Sequence, residues 1–208
     1  MNKYFFSLLI LFLFFGCKTQ KTTVARKPVL YLYPKKEQSV SVELKFKGTV
    51  TRSVPESKNK WTIIARPNGE IIGADGITYP YILWEGECQY GWDMSAGFIV
   101  AGDSCEAFLE KTLTQLGLNE KEKKDFIEYW APAMKKNKYT LIHFATEEYV
   151  KLANYTIVPK PDNFLRIFIV FKSVEKNTKV LHQLFKPTKR TGFTAVEWGG
   201  ADLDIGKE

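Results

Sequence analysis

Two glutamates stand beside tryptophans and glycines, in Trp84-Glu85-Gly86 and in Glu197-Trp198-Gly199-Gly200. A carboxyl group against an aromatic wall holds its proton to higher pH, and a second, solvated carboxylate can act as its partner. That pairing is the equipment of a metal-independent glycoside hydrolase, and tryptophan faces stack on sugar rings. The chemistry requires the two carboxyls roughly 5–10 Å apart across one cleft. A competing reading is positional: side chains alternate across a strand, so a Glu beside an inward Trp faces water or a basic partner. Arg166 sits inside the apolar run Phe164-Leu165-Arg166-Ile167-Phe168 and is such a partner for Glu85 or Glu197. An ion pair there accounts for both glutamates without catalysis.

Other chemistry finds little footing. The chain has 2 histidines, His143 and His182, and no His-x-x-x-His pair, so a zinc-peptidase reading fails. No nucleophile elbow, phosphate-cradling loop or dinucleotide fingerprint is present, and no metal or cofactor is implied. His143 reads as a hydrogen-bonded residue of a strand. A binding reading has more material. Tyr90-Gly91-Trp92-Asp93 lies in a glycine-containing link, and with Trp84 and Trp198 it offers aromatic surface for a glycan or a protein edge. The same rings could equally be core.

The elements that position these residues follow from periodicity. Residues 39–46 alternate strictly, with Val40, Val42, Leu44 and Phe46 on one face, which predicts a half-buried strand. Residues 29–33 are an apolar run closed by Pro34. Residues 61–65 and 70–72 flank Pro67-Asn68-Gly69, a hairpin signal. Residues 79–85 form another aromatic-rich strand, so the first third reads as an antiparallel meander, sandwich-like in character. The middle is helical. Asp103 with Glu106 and Asn119 with Glu122 have capping-box spacing, Gly117 stops the first helix, and Pro132 interrupts or kinks the second. The run Glu120, Lys121, Glu122, Lys123, Lys124 reads as a solvated face. Residues 139–144 are strand, Thr146 caps a short helix to Leu152, and residues 156–158, 164–171 and 193–198 are strands. The predicted class is α+β, a mostly antiparallel β-sheet system with two or three inserted helices, in one domain over residues 28–208.

The N-terminus says where such a domain would live. One positive charge precedes an apolar run of about twelve residues, too short for the ~20 of a spanning helix and suited to a signal peptide over residues 1–16. Gly16-Cys17 at its end resembles the lipobox of bacterial lipoproteins, which implies cleavage before Cys17 and lipidation of it. Phe14 and Phe15 depart from the usual Leu and small residue. Residues 17–27 then read as a flexible basic tether. The net charge is +7, but Lys3, Lys18, Lys21, Arg26 and Lys27 supply most of it, so the folded part is nearly balanced and no nucleic-acid partner is expected. By the resemblance to bacterial lipoproteins, Lys18 after the Cys implies the outer membrane, facing the periplasm. With Cys17 lipidated, Cys88 and Cys105 remain as a pair suited to a disulfide in that compartment; two separately buried thiols are the alternative.

Four phrases carry a wider resemblance: Lys27-Pro28-Val29-Leu30-Tyr31-Leu32-Tyr33-Pro34, Tyr81-Ile82-Leu83-Trp84-Glu85-Gly86, Tyr129-Trp130-Ala131-Pro132 and Val196-Glu197-Trp198-Gly199-Gly200. They resemble an uncharacterised bacterial lipoprotein family with a KPVIYLYP-like opening phrase. The resemblance runs from Lys27 to Gly200 and implies one intact domain, with no activity, cofactor or catalytic residue to carry over. The expectation is a lipid-anchored envelope protein that binds an envelope protein or a glycan. A glycoside hydrolase using Glu85 and Glu197, or a structural envelope subunit, are the alternatives.

Overall fold

The computed structural model describes residues 22–205 except Pro187. In chain order the elements are β1 (Thr22–Tyr33), β2 (Gln38–Phe46), β3 (Thr49–Val54), β4 (Lys60–Ala65), β5 (Ile71–Ile72), β6 (Thr78–Tyr79), β7 (Ile82–Gln89) and β8 (Phe98–Ala101), then α1 (Cys105–Leu116) and α2 (Glu120–Lys135). They continue as β9 (Tyr139–Phe144), α3 (Thr146–Leu152), β10 (Ala153–Val158), β11 (Asn163–Ser173) and β12 (Thr194–Asp202). The fold is α+β, dominated by two antiparallel-rich sheets.

The larger sheet has the order β3-β7-β1-β12-β11-β9-β8, and the smaller β10-β2-β4-β5-β6. Among the named strands every pairing is antiparallel except β11 with β12, which run parallel. Alternation along the strands of the larger sheet makes two cores. On one face Leu30, Leu32, Trp84, Phe168 and Ala195 pack against Val40, Val42, Trp61 and Ile63 of the smaller sheet. On the other Val29, Tyr31, Ile167 and Trp198 pack against Leu109, Leu113, Phe126 and Trp130 of the helices. The result is three layers, sheet on sheet on helices, because a sheet buried on both faces needs a cover for each.

The first third is sandwich-like, as expected, but is not one continuous meander. Its strands are divided, β1, β3 and β7 entering the larger sheet while β2, β4, β5 and β6 build the smaller. Residues 79–85 break at Pro80, where the chain leaves one sheet for the other; Pro has no amide hydrogen for the ladder. The tether is shorter than expected as well. Residues 22–25 already pair with β7, and Arg26 with Gly200. A bulge at Lys27, whose φ is 55°, and Pro28 interrupts the ladder, which hid the strand from a periodicity reading. Gly199 accommodates that bulge: a Cβ there would lie 2.9 Å from the Pro28 Cα.

The helices correct two further expectations. Asp103 and Glu106 form no capping box; a 3₁₀ turn (Gly102–Ser104) leads into α1, whose N-cap Ser104 makes no side-chain bond. The Asn119–Glu122 box is real, each side chain bonding the other's backbone amide. Gly117 ends α1 at φ 95°, a conformation costly for any residue with a Cβ. Pro132 lies inside α2, which continues to Lys135. The expected solvated face of α2 holds for Glu120, Lys121 and Lys124, which are exposed, but not for the two residues between them. Glu122 is fully buried, gripped by both Nη atoms of Arg190 at 2.7 and 3.0 Å, and Lys123 is buried against Glu110, Glu120 and Thr114.

Cys88 and Cys105 are two buried free thiols. Cys88 lies on β7 and Cys105 just after β8, five strand positions along the sheet, or about 24 Å at the usual strand spacing. A disulfide requires Cα atoms within ~7 Å. The expected bond is thus excluded by strand order, which sequence spacing does not reveal.

Candidate functional site

Glu85 and Glu197 lie on opposite faces of the larger sheet. Glu85 follows Leu83 onto the helix side, at 24% side-chain exposure, with Arg52 of β3 directly opposite at 3.6 Å. Glu197 follows Ala195 onto the face covered by the smaller sheet and is fully buried. Two carboxyls separated by the thickness of a sheet cannot flank one glycosidic bond.

Glu197 instead anchors a buried polar network. Arg166 stands directly opposite it on the parallel strand, with Nε and Nη2 each 2.6 Å from Oε2. The Tyr149 and Tyr155 hydroxyls donate to Oε1 at 2.8 and 2.7 Å, and the Trp84 indole donates to the Tyr155 oxygen at 2.6 Å. Arg166 Nη1 reaches the Ala153 carbonyl, and its guanidinium lies over the Tyr149, Tyr155 and Phe164 rings. Burial, followed by the charge of Glu197, pushes the Tyr149 and Tyr155 phenols well above their ordinary range. Burial opposes the Arg166 charge, but Glu197 together with Tyr149 and Tyr155 outweighs it and the guanidinium is held charged. The carboxylate thus has three hydrogen-bond donors, Arg166 Nε and two tyrosine hydroxyls, with Nη2 in ion-pair contact, which suits a structural role.

The four aromatic candidates also separate. Trp84 and Trp198 are fully buried, in the two different cores, Trp198 edge-on to Phe126. Trp92 stacks on Phe168 at 5.3 Å between ring centres and joins the sheet–sheet core. Tyr90 alone of the four lines an open cavity.

That cavity, about 750 Å³, exists because β9 leaves the sheet early. β9 pairs with β11 from Thr140 to Phe144, the Ala145 amide donates to the Phe168 carbonyl at 2.7 Å, and the chain then turns into α3. The Thr146 hydroxyl takes over, accepting from the Phe168 amide and donating to the Arg166 carbonyl. From Arg166 back to Asn163, β11 keeps β12 on one side and has no strand on the other. Leu165, Arg166 and Ile167 line the slot from this edge.

One end of the slot is polar. Glu148 Oε2 accepts from the Tyr90 hydroxyl at 3.2 Å, while Oε1 lies 3.3 Å from His143 Nε2. His143 Nδ1 lies 2.9 Å from the Ala96 carbonyl. Both ring nitrogens are therefore occupied, and His143 has none to offer a substrate. Burial and then Glu148 raise the Tyr90 hydroxyl, while hydrogen bonds from Ser95 hold the Asp93 carboxyl below its usual range. The other end is apolar, with Leu116, Leu165, Ile167 and Phe185, and Leu184 stands at the rim 96% exposed. Gln183 closes the neighbouring edge, its amide bonding both the N–H and the C=O of Phe144. Among the described residues no group of three His, Cys, Asp or Glu is placed to hold a metal.

Sequence reasoning found Tyr90 and a carboxylate partner for Arg166, left open between Glu85 and Glu197, but missed Glu148, Tyr149 and Tyr155. Tyr149 with Leu152, three apart on a helix, was the available sign of a buried face. Glu148 carried no sign at all.

No family model matches the chain, and no solved structure matches it. An uncharacterised protein in the bglA 3′ region of Butyrivibrio fibrisolvens is 38% identical over 64 residues, a stretch making up 29% of this chain. The match spans 66% of that protein's own length.

Proposed function

We propose that the chain is a lipid-anchored protein of the bacterial cell envelope, held at the outer membrane facing the periplasm, which acts by binding an envelope protein. Attachment in this reading falls to Cys17, behind a signal peptide at residues 1–16; both lie outside the described residues. No helix among the described residues is long and apolar enough to cross a membrane.

The observation that carries binding is the slot beside β11: a cavity of ligand-pocket size with a polar end, an apolar end and an exposed leucine at its rim. Hydrolysis of a glycan loses its support, since both glutamates are paired with arginines on opposite faces. Glycan binding is the second reading, favoured by Tyr90, Phe144 and Phe185 in the cavity wall. It is the weaker one, because Trp84, Trp92 and Trp198 are engaged in the cores.

A photo-crosslinking residue at position 184, in cells, tests the proposal, with the exposed position 58 as control. One discrete protein adduct from 184 and none from 58 is expected. A carbohydrate adduct would transfer the case to the glycan reading. Equal background from both positions would refute binding at this slot.

A further inference from the structure

We infer that the slot receives an extended polypeptide segment, which adds to the larger sheet as a strand alongside β11 and presents a basic side chain to the cavity's acidic end. The inference rests on the protein-binding reading and specifies its mode.

Backbone direction supplies the first argument. Along β11 successive residues turn their N–H and C=O groups to alternate sides. The Phe168 carbonyl accepts from Ala145, on the β9 side, whereas the Asn163 amide donates to Phe193, on the β12 side. Even-numbered residues thus address β9, and β9 ends at Phe144. Arg166, in the slot wall, and Phe164, next along the same edge, therefore turn backbone groups to the side that β9 has left; among the described residues their one hydrogen-bond partner there is the Thr146 hydroxyl, on the Arg166 carbonyl. Such an edge is a template for a strand of another chain. The protein treats its neighbouring edge differently: at Phe144 the Gln183 amide fills the position of a strand residue. Among the described residues the edge at Phe164 and Arg166 has no such cover beyond the Thr146 hydroxyl on the Arg166 carbonyl.

The walls supply the second argument. A strand laid beside β11 sends alternate side chains to either face. One set meets Leu165, Ile167 and Phe185. At the polar end Asp93, Glu147 and Glu148 outnumber the exposed Lys151, since the Arg166 charge is already matched by Glu197. A Lys or Arg on the incoming segment complements that excess, and an acidic one does not.

The test compares Phe164→Pro with Phe164→Ala, each carrying the photo-crosslinker at position 184. Both lose the ring, but only the proline loses the amide hydrogen on the side of β11 that β9 has left. The adduct should form in the alanine variant and fall about tenfold in the proline variant, the effect of one lost backbone hydrogen bond. Equal yields would overturn strand addition while leaving protein binding intact. Should the proline variant fail to fold, amide hydrogen exchange on the purified wild-type adduct decides. Exchange over residues 163–167 slowed by about tenfold supports strand addition; unchanged exchange there overturns it. Absence of any adduct in the parent chain is the separate result that defeats the binding reading itself.

Discussion

Arg166 and Glu197 face each other across the one pair of parallel strands named among the described residues, with the guanidinium Nε 2.6 Å from the carboxylate. Glu85 makes the analogous contact with Arg52 on an antiparallel pair, at 3.6 Å and with Arg52 62% exposed. Removing one partner of a buried ion pair strands the other, whereas a solvated pair is screened. Glu197→Gln should therefore destabilise the fold by roughly 3–5 kcal/mol, and Glu85→Gln by under about 1 kcal/mol. Urea titration of both variants measures the contrast; equal losses would show that burial of Glu197 is not what matters.

The thiols give a second expectation. Native protein denatured without reductant and alkylated should take up one group on each of Cys88 and Cys105, and a mass lower by two alkyl groups would restore the disulfide. In the folded state Cys105 should react slowly at pH 8, because burial pushes its thiol up to about 11 and leaves little thiolate.

Alkaline behaviour follows from the buried phenols. Tyr31, raised by burial and then by Asp125, and Tyr149 and Tyr155, raised by burial and then by Glu197, all titrate higher folded than unfolded. Their contribution to stability is complete below the unfolded value near ~10 and is lost as pH climbs above it. Absorbance of phenolate should therefore show the most exposed tyrosines ionising first. The remainder should ionise in one cooperative step that coincides with loss of circular dichroism. Independent, reversible ionisation of all ten tyrosines without unfolding would contradict this.

Asn119 and Glu122 offer a graded test on one helix end. Asn119→Ala removes the cap and should cost about 1 kcal/mol. Glu122→Ala removes the reciprocal bond and also leaves Arg190 without its carboxylate, so its cost should be larger, in the range of about 1–3 kcal/mol. Thermal unfolding of the two variants ranks them.

Attachment is testable apart from the fold. In the proposed envelope role, Cys17→Ser should move the protein from the membrane fraction to the soluble one. Unchanged, detergent-dependent membrane attachment would end the lipoprotein proposal.

Local order was legible where a pattern has one physical cause. Strict alternation over residues 39–46 can bury only one face, so β2 was readable, as were the Asn119–Glu122 cap, the Gly117 stop and the hairpin at Asn68-Gly69. The α+β class followed from those elements. Strand order was not legible, because hydrogen bonds between strands join residues far apart in the chain and periodicity carries no record of them. That order separated Cys88 from Cys105 and put Glu85 and Glu197 on opposite faces. Tertiary packing likewise turned Glu122 from a presumed surface charge into a buried anchor for Arg190. The slot beside β11 is the clearest case: it arises where one strand ends a few residues before its neighbour, and only the assembled sheet decides where that happens.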